Sequence, residues 1–304
     1  MKKIILNSYG SVDVLKEVNE SIPTPKANEV IVEVAAIGLA DPDIVMRKNG
    51  PFPTMPVEMR PTLPHMIGND YSGVITAVGE KVSKFKIGDH VVGLTLNGTY
   101  AEYLSINEDE AIATVPASLD LVPLGGLLLA AMTAWSATVT NGKIEAGQKV
   151  LIHGGAGGVG SMAIQIAKAA GAYVITTAKK KHQKYLKELG TDQIIDYQTE
   201  DFTKMVNNLD LVVNLTGINT LNASYPVVKP SGRLISANGV PDQKKADRYG
   251  IEVACAMGDT SSKALSGILK LYQDGKLNVN VAKTYQFELD SVKQAHLDFE
   301  KGII

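Results

Sequence analysis

The stretch Gly147-Gln148-Lys149-Val150-Leu151-Ile152-His153-Gly154-Gly155-Ala156-Gly157-Gly158-Val159-Gly160 decides how the rest of the chain is read. Val150, Leu151 and Ile152 make a short apolar run, the pattern of a buried strand. Glycines follow at once. Val159, Met162, Ala163, Ile166, Ala167 and Ala170 then recur at i, i+3, i+4, i+7, i+8 and i+11, one stripe of a helix. Ile164 falls off that stripe and is expected to meet a different surface. Gly155, Gly157 and Gly160 stand at G-x-G-x-x-G spacing between strand and helix. Glycines so placed serve a tight turn, close backbone approach to a pyrophosphate and close helix–strand packing. The helix N-terminus behind them offers free N–H groups to phosphate. Gly155, Ala156, Gly157, Gly158, Val159 and Gly160 are therefore the expected dinucleotide loop.

Working outward, the bulk numbers bound the answer. The chain has 304 residues, 45% hydrophobic and 20% charged, enough for one large domain or two ordinary ones. A net charge of -2 sets up no strong field, so neither nucleic acid nor a membrane surface is an expected partner. Cys255 is the one cysteine, which rules out a disulfide framework and a Cys-rich zinc site and fits a reducing cytoplasm. Lys2 and Lys3 precede only Ile4-Ile5-Leu6 before Asn7, too little for a secretion signal. The longest uncharged run, Leu121 to Gly142, lacks the apolar density of a membrane span and reads as a buried helix.

Residues 1 to about 120 read as β-rich, with strands over Val30–Val34 and Gly73–Val78 and prolines punctuating long loops. From about 121 to 276 strands alternate with helices, the mark of a parallel α/β sheet. Strand candidates there are Val150–Ile152, Tyr173–Thr176, Gln193–Asp196, Leu211–Asn214, Arg233–Ser236 and Glu252–Ala254. After Lys276 β character is expected to return briefly, before a closing helix over Asp290 to Glu300.

Position by position, Gly147-Gln148, Leu151, Gly155-Ala156-Gly157-Gly158, Gly160, Gln165 and Lys168 resemble the signature of the zinc-independent quinone oxidoreductase (zeta-crystallin-like) branch of the medium-chain dehydrogenase/reductases. The likeness extends to Gly68-Asn69-Asp70-Tyr71-Ser72-Gly73-Val74, Gly88-Asp89-His90-Val91, Met132-Thr133-Ala134-Trp135 and Gly275-Lys276-Leu277. It implies a GroES-like β-rich catalytic domain over residues 1–120, continued by 277–304. Between these it implies a Rossmann-fold domain, a doubly wound parallel sheet, over 121–276. Relatives carry a further terminal strand with a Gly-Lys-(Ile/Val)-Val pattern, which the sequence lacks at Gly302-Ile303-Ile304.

The coenzyme is read from the second strand of the nucleotide unit. An NAD site offers a carboxylate about 20 residues past the glycines. No Asp or Glu occurs from Ala172 to Lys187; the strand runs instead into Lys179-Lys180-Lys181. Cations at a helix start have the wrong sign for the helix dipole, which favours an anionic partner there. NADPH is the expected coenzyme. The resemblance implies Thr177, Lys179 and Tyr197 at its 2′-phosphate and Thr133 near its nicotinamide. Thr216 with Gly217, and Asn238 with Gly239, follow strands at the end where open α/β sheets bind ligands.

Zinc-dependent relatives need a thiolate and a His–Glu pair. Here the Gly-His-Glu motif reads Gly68-Asn69-Asp70, the region of the catalytic Cys reads Gly38-Leu39-Ala40-Asp41 with no sulfur, and the five histidines are scattered. A zinc-free site has no Lewis acid to polarise an alcohol. The expected reaction is hydride transfer from NADPH to a quinone or an α,β-unsaturated carbonyl. An enoyl-thioester reductase, or a low-turnover NADPH-binding redox sensor, is the alternative. Substrate-pocket candidates are Ala40, Asp43, Arg47, Phe52 and Tyr100, with no catalytic acid assigned. Relatives commonly have Asn at Ala40 and Tyr at Phe52. For Asp43 a loop hydrogen bond, for Arg47 a solvated face, and for Tyr100 strand packing are the plainer readings. A homodimer through the edge strand Glu252–Ala254 is expected from the family habit and from its unpaired edge.

Overall fold

The computed structural model describes residues 1–51 and 57–302, so Phe52 lies outside the described residues. The chain divides into two compact units, Met1–Leu129 with Val279–Ile304, and Ala130–Asn278.

The first unit opens with β1 (Lys2–Leu6) and β2 (Leu15–Asn19), an antiparallel pair. β3 (Glu29–Ile37) leads through Gly38-Leu39-Ala40 into α1 (Asp41–Asn49). Then come β4 (Asp70–Val78), β5 (His90–Leu94), β6 (Tyr103–Asn107) and β7 (Ala111–Val115). β3 to β7 form one antiparallel sheet in the order β6-β3-β4-β5-β7. Val30, Val32, Tyr71, Ile75, Val91, Leu104 and Ile106 fill its core. A second cluster gathers Ile4, Leu6, Leu15, Ile67 and Tyr100 around Val292.

The uncharged run does not make one helix. It breaks into α2 (Leu121–Leu124), α3 (Leu128–Trp135) and a π-helical turn over Ser136–Thr140. Gly125 sits against Ala36 and Gly126 against Gly38, and a Cβ on Gly38 would lie only 2.7 Å from the Gly126 Cα. The break thus lets this connection lie flat on the sheet. Residues 121–129 cluster with the first unit, beyond the expected boundary at 120.

The second unit runs β8 (Lys149–His153), α4 (Gly158–Ala169), β9 (Tyr173–Ala178), α5 (Gln183–Glu188), β10 (Gln193–Asp196), α6 (Phe202–Met205), β11 (Leu209–Asn214), α7 (Ile218–Ser224), β12 (Val228–Ser236), α8 (Gln243–Tyr249), β13 (Glu252–Cys255) and α9 (Ser262–Gln273). Its six strands are all parallel, in the order β10-β9-β8-β11-β12-β13. That is the doubly wound order 3-2-1-4-5-6, with its switch point between β8 and β11. Ligands of open α/β sheets bind beyond the strand C-termini at such a point. Leu151, Ile175, Ile195, Val212 and Leu234 form the core of the sheet.

α4 is buried along Gly160–Ala167, wider than one stripe. Ile164 is fully buried off the stripe, and a Cβ on Gly155 would come 2.9 Å from its Cδ1, so it packs beneath the glycine loop. No strand forms over residues 277–288, where β character was expected; the chain passes there as loop. α10 (Leu289–Glu300) then returns to the first unit. No helix among the described residues is long and apolar enough to cross a membrane.

Candidate functional site

The glycine loop lies at the C-terminal end of β8, beside the switch point. A Cβ on Gly155 would run into the Thr176 hydroxyl, and one on Gly160 into the Gly154 carbonyl oxygen. Only glycine lets strand and helix approach this closely. Gly157 and Gly158 are exposed, and a Cβ on either would meet nothing nearer than 3.5 Å. Their backbone is open to an incoming group.

Gly157 caps α4 without a side-chain hydrogen bond. The amides of Gly158, Val159 and Gly160 have no acceptor among the described residues. These N–H groups stand at the positive end of a twelve-residue helix. The cradle therefore fits the pyrophosphate of a dinucleotide, by the openness of its backbone and by its unpaired donors.

Thr177 sits at the end of β9, buried, with its hydroxyl turned inward to His153 and Gly154. The oxygen expected at the 2′-phosphate is thus engaged within the sheet. Lys179, Lys180 and Lys181 are exposed, and none has an acidic partner among the described residues. Their field is felt next door, where burial and then Lys181 and Lys179 lower the pKa of His182. Asp196 pairs in register with Ala178, so Tyr197, half-exposed, is one step beyond it and level with Lys179.

Across the switch point, Asn214 ends β11 fully buried. Its Nδ2 donates to Ser236 Oγ at 3.1 Å and to the Asn238 carbonyl at 2.9 Å, and its Oδ1 accepts from the Thr216 hydroxyl at 3.1 Å. One amide thus ties the Thr216-Gly217 loop to the Asn238-Gly239 loop. Thr216 also lies against Gly154, whose Cβ would come 3.1 Å from its methyl. Thr133, on α3, is half-buried near Gly258. The buried hydrogen bonds of Asn214 and His153 escape a motif search. Both are polar residues ending apolar strands, and that is the one signal they leave.

The first-unit candidates are less open than expected. Ala40 caps α1 and its N–H donates to Asp43 Oδ2 at 2.8 Å. Asp43 is buried and also accepts from the Gly68 amide; burial pushes its carboxyl pKa up to about 7. Arg47 is not on a solvated face. It is 1% exposed, and its guanidinium bonds Glu300, the Gly10 carbonyl and His296 Nδ1. Tyr100 is buried in the second core cluster, its hydroxyl 3.2 Å from His296 Nε2. Burial raises its pKa well above the usual phenol range.

At the positions where zinc relatives carry ligands, Ala40 has no donor atom. Asn69 donates its amide to the Thr95 carbonyl at 3.3 Å, and Asp70 accepts from the Leu129 amide at 2.8 Å. Burial raises the Asp70 pKa well above the usual range.

A model described as alcohol dehydrogenase GroES-like domain matches residues 26–117, and one described as zinc-binding dehydrogenase matches 158–269. Quinone oxidoreductase of Sus scrofa is 31% identical over 244 residues, 77% of this chain and 72% of that protein. The chain belongs to the quinone oxidoreductase branch of the medium-chain dehydrogenase/reductases. Among other members, the chloroplastic NADPH-dependent alkenal/one oxidoreductase of Arabidopsis thaliana is 33% identical over 251 residues, 79% of this chain and 63% of that one. The structure of the quinone oxidoreductase from Coxiella burnetii superposes with a TM-score of 0.89 at 30% identity, covering 100% of this chain and 96% of that one.

Proposed function

We propose that this member of the branch is an NADPH-dependent oxidoreductase, working without zinc, that delivers hydride to a quinone or an α,β-unsaturated carbonyl. The observation that carries the reading is the open N-terminus of α4 at the switch point, with lysines one strand away that have no acidic partner among the described residues. The relatives named for quinones and for alkenals support the acceptor class.

Gly157, Gly158, Val159 and Gly160 would receive the pyrophosphate, and Lys179 with Tyr197 the 2′-phosphate. Thr216, Gly217, Asn238 and Gly239 would border the ring end, held together by Asn214. The bound coenzyme supplies the hydride. The chain's own part is orientation, which alone removes much of the barrier in a two-reactant transfer. Negative charge developing on the acceptor oxygen calls for a proton or a donor. Arg47 and Tyr100 are engaged elsewhere and Ala40 is apolar, so water is the proposed proton source. The zinc-free reading is supported by the donor set: a site missing the oxygen, nitrogen or sulfur of one ligand at Ala40 is poorly matched to a tetrahedral ion.

The cytoplasm, a reducing compartment, is the proposed location, with which a single free thiol is compatible. Copies are proposed to pair along β13, an edge of the six-stranded sheet. The test of function is NADPH consumption with 9,10-phenanthrenequinone and with a simple enone. Turnover with either is expected. Tight NADPH binding with no turnover would replace this reading by that of a redox sensor.

A further inference from the structure

His153, the last residue of β8, pairs in register with Thr177, next to last in β9, and the imidazole is fully buried. Both ring nitrogens are engaged, and the partners settle which carries the proton. Ser224 gives its hydroxyl proton to the Thr220 carbonyl at 2.7 Å, so toward His153 Nε2, at 3.1 Å, it can only accept. The proton is therefore on Nε2, and Nδ1 accepts from the Thr177 hydroxyl at 3.1 Å. The Thr177 Oγ1 accepts in turn from the Gly154 amide at 3.3 Å. The Thr177 carbonyl takes the same N–H at 3.1 Å and that of Gly155 at 3.3 Å. A directed chain of hydrogen bonds thus runs from α7 through the imidazole into the first residues of the glycine loop. Phe202 closes the remaining side, edge to face at 4.6 Å.

We propose that His153 is a positioning residue for the coenzyme. As the neutral Nε2–H tautomer it locks the Thr177 rotamer, and through it the backbone of Gly154 and Gly155, so that the loop is preset to the shape a pyrophosphate needs. The inference rests on the coenzyme reading given above. Preorganisation of this kind shows as affinity, because the loop no longer has to be ordered on binding. Burial favours the same neutral form, holding the ring pKa down to about 3.

The test is calorimetric titration of NADPH and of NADH into the wild type and into His153→Phe, His153→Asn, Thr177→Val and the His153→Phe/Thr177→Val double variant. Whichever coenzyme the wild type binds is the probe. Loss of the NADPH preference would count against the coenzyme reading and leave this comparison intact. Phe keeps the volume and neither nitrogen; Asn keeps an oxygen near the place of Nδ1. His153→Phe and Thr177→Val are each expected to weaken binding about tenfold, the double variant no further, and His153→Asn less than about threefold. The KM for coenzyme should rise while kcat at saturation changes less than about twofold. In 15N-histidine-labelled wild type, the ring should show Nε2–H and a bare Nδ1 from about pH 5 to 8. Wild-type affinity in Thr177→Val, or an Nδ1–H tautomer, overturns the proposal. Both readouts stand even if His153→Phe does not fold.

Discussion

Arg47 Nε–H donates to His296 Nδ1 at 3.3 Å, so a buried cation and a buried imidazole share one hydrogen bond deep in the first unit. The pairing is tolerable because Glu300 balances the guanidinium and the ring stays neutral. Burial, then Arg47, holds the His296 pKa down to about 4. Arg47→Met keeps the stem and removes the donors. We expect a loss of about 2–4 kcal/mol in urea unfolding, below the upper end for a buried pair because Glu300 is partly exposed and can hydrate. By NMR titration, His296 should move up toward its ordinary range once the neighbouring charge is gone.

Two buried groups should bend the stability–pH curve in opposite directions. His153 has a depressed pKa, so below about pH 6.5 the unfolded chain takes up a proton that the native ring refuses. Its contribution is fully present above that pH and falls away as pH drops toward about 3. The stability gap between wild type and His153→Phe should narrow on acidification, by at most about 1.4 kcal/mol per pH unit.

Asp43 has a raised pKa, about 7 against an ordinary 3.8. Between these values the native state keeps a proton that the unfolded chain releases. Its contribution is fully present below the ordinary value and is lost as pH rises to about 7. Wild type should therefore gain on Asp43→Asn as pH falls through this window, the reverse of His153. Urea midpoints at three pH values decide both signs.

Gly160→Ala drives a methyl group against the Gly154 carbonyl oxygen. The start of α4 must then shift away from β8. We expect about 1–3 kcal/mol of destabilisation by calorimetry and loss of coenzyme binding. Gly157→Ala meets no such obstacle in the folded chain, since its Cβ would lie 3.5 Å from that oxygen. It should keep its stability and lose affinity alone.

Lys179→Glu places a carboxylate beside the ribose edge of the proposed site. The ratio of kcat/KM for NADPH over NADH should fall at least about tenfold, and the salt dependence of NADPH binding should flatten, because the lost contact is an exposed, screened one.

How much could be read in advance follows a physical line. The strand–glycine–helix unit was legible because steric demands at Gly155 and Gly160 are local and the periodicities are strong. Ile164, expected to meet a separate surface, does so beneath the loop. What escaped is non-local. Arg47 looks like any surface residue of a short helix, and the Glu300 that allows its burial lies 253 positions away. The Thr177 hydroxyl looks free until His153, one strand away, is seen to hold it. The uncharged run at 121–142 breaks around Gly125 and Gly126, which lie against Ala36 and Gly38, neighbours far away in sequence. Residues 277–288 show alternation yet find no strand to pair with.

The placement of α10 sets an order of events during synthesis. Val292 completes the cluster of Ile4, Leu6 and Leu15, and Glu300 neutralises Arg47, yet every residue of the second unit is translated before them. The β-rich portion must therefore leave the ribosome with an apolar face uncovered and a guanidinium uncompensated. The six strands of the parallel sheet all lie between Lys149 and Cys255, so that sheet is complete in sequence before α10 is made and can close ahead of the earlier portion.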